Sequence, residues 1–269
     1  MNAIQQAFQK QKQQGNAALV GYIMGGDPNP EATPTIADAL IRGGIDVLEL
    51  GLPFSDPIAD GPTIQAASIR ALAAKTTPIQ VLKIAKQIKQ QHDIPIVIMT
   101  YFNPVFRIGI EKFCKSAKDC EVDGLIIPDL PVEEANEYKH VAKNQGLDTI
   151  FLAAPSTSNQ RLEKIIAAST GFLYLVSHFG VTGTKTNVED STIQLIKRVS
   201  AFTAGKIPLA VGFGISKPKH IQKIVQAGVD GAIVGSAFIN IIQKHTKNTA
   251  TMIEELRSAA TSLKSATKH

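Results

Sequence analysis

The segment 48–61 reads LELGLPFSDPIADG and gathers three carboxylates, Glu49, Asp56 and Asp60, around one short apolar run. Side chains alternate along a strand, so Glu49 points with Val47 and Gly51 and away from Leu48 and Leu50. An unpaired carboxylate out of water is costly unless its pKa rises or a partner arrives. A carboxyl with a raised pKa carries a proton at neutral pH, which suits acid-base catalysis. The plainer uses of an acid here are an exposed charge or a structural ion pair. Asp56 precedes Pro57 and reads as a turn residue. Asp60 precedes Gly61-Pro62, where it is equally suited to cap a helix beginning near Thr63 or to swing a second acid over the strand end.

A second kind of chemistry appears late in the chain. Gly180-Val181-Thr182-Gly183, Gly212-Phe213-Gly214-Ile215-Ser216 and Gly235-Ser236 each follow an apolar run. Glycines let backbone amides approach an anion, and a helix N-terminus adds oriented N–H groups, so the clusters suit phosphate. Tight turns are the plainer use of any one of them. No lysine ends a strand-like run where a Schiff base would form, and His178 has no neighbours at metal-ligand spacing, so it reads as a loop residue and no metal is expected. Cys114 and Cys120 read as reduced packing residues.

Elements able to position these groups recur along the chain. Apolar runs at 19–24, 47–51, 96–101, 124–127, 149–153, 172–177, 209–212 and 232–235 alternate with amphipathic stretches at 34–42, 79–91, 110–120, 132–144, 161–168, 192–199 and 218–227. Strict alternation of wholly apolar strands with helices means a parallel sheet covered on its outer face, and eight such units predict an α/β (β/α)₈ TIM barrel, with an open doubly wound sheet as the alternative. Ile4 and Phe8 predict an extra N-terminal helix under the barrel; Met252, Leu256 and Leu263 predict a C-terminal one. The 269 residues are 44% hydrophobic and show no linker, so one domain over 1–269 is expected. Without an apolar stretch of roughly 18 residues or a signal-like start, a cytoplasmic protein is expected. The net charge of +5 comes from dispersed lysines rather than from a nucleic-acid stripe.

The motifs LELGLPFSDPIADGPTIQ, YLVSHFGVTG, GFGIS and GSA, in this order, closely resemble the tryptophan synthase alpha chain family over about residues 21–242. The resemblance implies a (β/α)₈ barrel that cleaves indole-3-glycerol phosphate to indole and glyceraldehyde 3-phosphate, with no cofactor in this chain. By motif, Glu49 and Asp60 match the two catalytic acids. Tyr22, Met99 and Tyr174 match substrate-pocket positions, and Gly183, Gly214, Gly235 and Ser236 match phosphate contacts. The family also implies a partner, a pyridoxal-phosphate-dependent beta chain in an α2β2 assembly that receives indole through a tunnel. Pro53, Asp56 and Pro57, Asn103 with Pro104, and Asp129 with Pro131 resemble its interface segments. Small departures fall at 24–28 and 184–187 and remove no catalytic group. A stand-alone lyase and a non-catalytic activator of a beta chain are the alternatives.

Overall fold

The computed structural model describes residues 1–176 and 185–268, with 185–190 described by their backbone alone. The first half of the chain runs α1 (Ala3–Gln13), β1 (Ala18–Met24), α2 (Thr33–Arg42), β2 (Val47–Gly51), α3 (Pro62–Ala73), α4 (Pro78–Gln91), β3 (Ile96–Met99), α5 (Phe102–Ile108), α6 (Ile110–Asp119) and β4 (Gly124–Ile126). The second half runs α7 (Asn136–Asn144), β5 (Asp148–Ile150), β6 (Leu152–Ala153), α8 (Asn159–Ala168), β7 (Leu173–Val176), α9 (Lys185–Thr203), β8 (Leu209–Gly212), α10 (Pro218–Gln226), β9 (Gly231–Val234), α11 (Ser236–Lys244) and α12 (Thr249–Ser265).

All strand pairs are parallel, in the order β5-β4-β3-β2-β1-β9-β8-β7-β6. The apolar run at 149–153, expected as one strand, is interrupted at Phe151. Its first part pairs with β4 and its second with β7, so the chain itself joins the two ends of the order and closes a TIM barrel. Every residue of β1, β2, β3, β8 and β9 is buried, as a parallel sheet covered by helices requires. The helices turn apolar stripes inward. In α4, a capping box between Thr77 and Gln80 and Pro78 in the first turn define the start, and Val81, Leu82, Ala85 and Ile88 are buried.

Both flanking helices form as the sequence predicts. On α1, Ile4 and Phe8 are buried and the Phe8 ring lies 5.5 Å from that of Phe172, under the lower end of the barrel. On α12, Met252, Leu256 and Leu263 are buried as that helix packs on α2 and α11.

The lower rim is tied by one device used four times. Leu19 N–H donates to the Asp46 carboxylate at 2.7 Å while Asp46 N–H donates to the Leu19 carbonyl at 2.8 Å. Ile96 and Asp123 do the same at 2.8 and 2.9 Å, and Leu209 and Asp230 at 3.0 and 2.9 Å. Thr149 and Thr170 repeat it with a hydroxyl acceptor, at 3.0 and 2.9 Å. The three aspartate clamps join the start of one strand to the residue before the next, and Thr170 lies just ahead of β7; each satisfies a backbone donor that the ladder leaves over. Lys89 adds an ion pair to Asp123 at 2.9 Å, and Lys264 of α12 adds one to Asp46 at 2.6 Å.

Replacing Asp123 by Ala strands the Ile96 N–H and leaves the Lys89 ammonium with only the Ile94 carbonyl, at 3.1 Å. We expect a loss of about 1.5–3 kcal/mol, seen as a lower urea midpoint with an unchanged slope; an unchanged midpoint contradicts the clamp's role.

Candidate active site

Glu49 is the central residue of β2, in register with Tyr22 of β1 and Val97 of β3. It is 1% exposed, and its Oε2 has no hydrogen-bond partner. Burial first, and then the negative charge of Asp60, push its carboxyl up to about 8. Glu49 therefore holds a proton at neutral pH and sits close to its own titration point, the condition for giving and retaking a proton.

Asp60 is not a helix cap. Gly61 occupies the N-cap position of α3 and makes no side-chain cap, while Pro62 opens the helix. The Asp60 carboxyl instead lines the cavity that holds Glu49. Burial raises its pKa, and a hydrogen bond from Tyr101 opposes that rise. Tyr101 pins the whole loop: its hydroxyl also accepts from the Ala59 N–H at 3.0 Å, and its ring stacks on Phe54 at 5.4 Å. From α3, the Ser68 hydroxyl accepts from Phe54 N–H and donates to the Phe54 carbonyl, both at 2.8 Å. Arg70, two residues on, grips the fully buried Asp27 carboxylate with two 2.7 Å bonds. The acid-bearing loop thus hangs from a helix that is itself fastened to the segment after β1.

Tyr22 and Tyr174 enter the lumen from β1 and β7. Their phenol oxygens occupy the space that side chains at Gly51 and Gly212 would fill, so glycine at these two strand ends is a requirement of close approach. Burial, then the Asp60 and Glu49 charges, raise the Tyr22 pKa well above its ordinary value. For Tyr174 the causes are burial, then Glu49, then Asp60. Both therefore remain hydrogen-bond donors.

Met99, Ile64, Phe213, Ile215 and Ile233 supply apolar walls. Phe213 has a left-handed backbone (φ +68°), followed by Gly214 at φ +77°, and its ring meets Tyr174 edge-on at 5.8 Å. A left-handed phenylalanine is strained, and such strain gathers at functional sites. On the β8–β9 side the cavity is lined by Gly214, Gly235 and Ser236. Gly235 is the N-cap and Ser236 the first residue of α11, whose first turn has no acidic residue, leaving its N–H groups and positive dipole end for an anion.

Glu49, Asp60, Tyr22, Met99, Tyr174, Gly214, Gly235 and Ser236 therefore meet in one cavity. Gly183, with His178 and the rest of the 180–183 cluster, lies outside the described residues. Besides the apolar walls Ile64, Ile215 and Ile233, two aromatic residues of the site are not among the sequence candidates. Tyr101 ends the apolar run at 96–101, and that aromatic at a strand end was the available signal. Phe213 stood within the GFGIS motif but was overlooked between its glycines. The residues singled out for a partner lie apart from the cavity: Pro53 is buried, Asp56 and Asn103 are exposed, and Pro57 and Asp129 are half-buried. Asn103 and Pro104 lie on the short helix α5, not in a loop. Among the described residues, no three His, Cys, Asp or Glu side chains gather in a metal-holding group.

The family model for the tryptophan synthase alpha chain matches residues 8–268. A tryptophan synthase alpha chain of Methanoregula boonei is 44% identical over 266 residues, covering 99% of this chain and 98% of that one. One of Methanosarcina acetivorans is 47% identical over 262 residues, covering 97% and 93%. Among solved structures, tryptophan synthase subunit alpha of Legionella pneumophila str. Paris superposes with a TM-score of 0.89 at 35% identity, covering 99% and 98%. A chain of the Pyrococcus furiosus tryptophan synthase a2b2 complex, described for its mutual activation, gives 0.86 at 37% identity, covering 93% and 98%.

The raised Glu49 pKa has a stability consequence. Between the unfolded value near 4.5 and the folded value of about 8, the folded chain binds more protons than the unfolded one. Stability therefore falls as pH rises through that window. Glu49→Gln has no such proton to lose, so its advantage over the parent should be absent below pH 4.5 and grow to as much as roughly 4 kcal/mol by pH 8. Unfolding curves at pH 5 and 8 decide it: a difference that does not change with pH rules out the shift.

Proposed function

The chain belongs to the tryptophan synthase alpha chain family, and from that membership we propose how its own residues carry the family's lyase reaction, the cleavage of indole-3-glycerol phosphate to indole and glyceraldehyde 3-phosphate. The observation that carries the proposal is a proton-holding, water-excluded Glu49 sharing a cavity with Asp60. Tyr22 on β1 and Met99 on β3 flank β2 and wall the indole ring, and Gly214, Gly235 and the first turn of α11 take the phosphate. Glu49 gives its proton to indole C3. The ring becomes an iminium whose N–H is stabilised by the Asp60 carboxylate, and it is now an electron sink. The side-chain hydroxyl beside C3 then loses its proton to Glu49, and its oxygen forms the aldehyde carbonyl. The electrons of the breaking carbon–carbon bond return to the ring, releasing indole and restoring Glu49. Two carboxylates and the substrate's own ring suffice, so no cofactor is assigned to this chain. Tyr174 orients the side chain from across the lumen.

The whole chain, 1–269, acts as one domain in this scheme, working in the cytoplasm. We further propose a beta chain dependent on pyridoxal phosphate as partner, in an α2β2 assembly, docked on the barrel face around Pro53, Asp56, Pro57, Asn103 and Asp129. Support comes from two exposed apolar side chains there, Ile58 at 82% and Phe106 at 68% exposure. A physical link also runs inward: Asp129 accepts from the Phe102 N–H at 2.8 Å, and the adjoining Tyr101 holds the Asp60 loop. Two acids placed for proton transfer speak against a purely non-catalytic activator.

Glu49→Gln should lower indole formation by about 10²–10⁴-fold while still binding a non-cleavable phosphate analogue. Turnover near that of the parent removes Glu49 from the mechanism. Added beta chain should raise the parent's turnover, and indifference to it favours a stand-alone lyase.

A further inference from the structure

Two polar groups of the cavity lack a strong partner, and they come from paired positions on adjacent strands. Glu49 Oε2 has none. The Tyr22 hydroxyl meets only the Met24 thioether sulfur, at 4.0 Å, and a thioether is a weak acceptor. Tyr22 and Glu49 are register partners in the β1–β2 ladder. The phenol oxygen lies over Gly51, on the face of β2 to which Glu49 also points. Each buried group left unanswered costs about 1–3 kcal/mol, so a fold that keeps both beside one cavity keeps them for a ligand.

The pair defines what that ligand group must be. Once Glu49 has passed its proton to the ring and stands as a carboxylate, a carbonyl accepts from the phenol but gives nothing to that carboxylate, and an N–H does the reverse. A hydroxyl answers both, donating toward Glu49 and accepting from Tyr22. We propose that Tyr22 is a catalytic residue, its hydroxyl donating a hydrogen bond to the oxygen of the reacting side-chain hydroxyl while Glu49 removes that hydroxyl's proton. The inference rests on the proton-transfer role proposed above for Glu49. In the cleavage step the hydroxyl proton passes to Glu49, its O–H electron pair becomes the second carbonyl bond, and the carbon–carbon pair returns to the ring. Tyr22 keeps its own proton throughout and stabilises the negative charge that gathers on the oxygen before the carbonyl forms. A preorganised, buried donor aimed at developing charge acts on turnover more than on binding. The same geometry makes the site selective for a substrate with a hydroxyl at that carbon.

Tyr22→Phe removes one oxygen and leaves the ring that packs over Gly51. Measured on the full chain, alone and with its beta chain, kcat for indole formation should fall about 10- to 100-fold with KM little changed. Indole-3-propanol phosphate, which has the ring and phosphate but neither side-chain hydroxyl, should bind the parent and the Phe variant equally. Full kcat in the variant overturns the proposal, leaving the reaction assignment standing. A drop in kcat matched by an equal loss of analogue affinity also overturns it, since that marks a packing role. A parent chain that cleaves no substrate overturns the reaction assignment, and this inference with it.

Discussion

A carboxyl held out of water at the centre of a strand is the constraint around which the rest of this protein is arranged. Glu49 sits in a parallel strand whose two faces are both covered, one by helices and the other by the barrel's own lining. Burial there disfavours the charged form, and the negative Asp60 nearby adds to it. The result is an acid that is protonated at neutral pH yet close to losing its proton. Two tyrosines, two glycines that admit their phenols and an apolar wall of Met99, Phe213, Ile215 and Ile233 form that environment.

The barrel separates what must be rigid from what must be reactive. Strand starts are bound at the lower rim by four repeated clamps, braced by Lys89 and Lys264 and covered by α1 and α12. Strand ends carry the reactive groups, because parallel strands deliver all their C-terminal ends to one side. Stability is thereby concentrated away from the cavity, where a buried acid with an unpartnered Oε2 and a left-handed Phe213 work against it.

The loop that carries Asp60 links these two regimes. It hangs between β2 and α3, and its position depends on Tyr101 from the end of the third strand run, Ser68 and Gln65 from α3, and the Arg70–Asp27 pair. Apart from the Gln65 contact, these link residues 14 or more apart in the chain. Tyr101 also borders Phe102, whose backbone is held by Asp129, so the segments proposed to face a partner touch the residues that set the second acid in place.

Much of this was legible in the chain because it depends on short-range rules. Period-two alternation aims Glu49 inward, uninterrupted apolar strands between amphipathic helices imply a covered parallel barrel, and glycines after strand ends mark where backbone amides can approach an anion. Motif resemblance then supplied Tyr22, Met99, Tyr174 and the phosphate positions, and all of those within the described residues line one cavity. Local pattern could not decide whether Asp60 caps a helix or faces the site, because both uses favour the same turn residues; only the long-range grip of Tyr101 settles it. The break of the fifth run at Phe151 depends on pairing with two different strands, and the placing of Asn103 and Pro104 on a short helix depends on the segment that follows β3. The sequence by itself thus determined which groups are available and which way their strands turn them. The tertiary structure decided how dry the cavity is and which acids share it, because desolvation and charge proximity are properties of the whole barrel rather than of any segment.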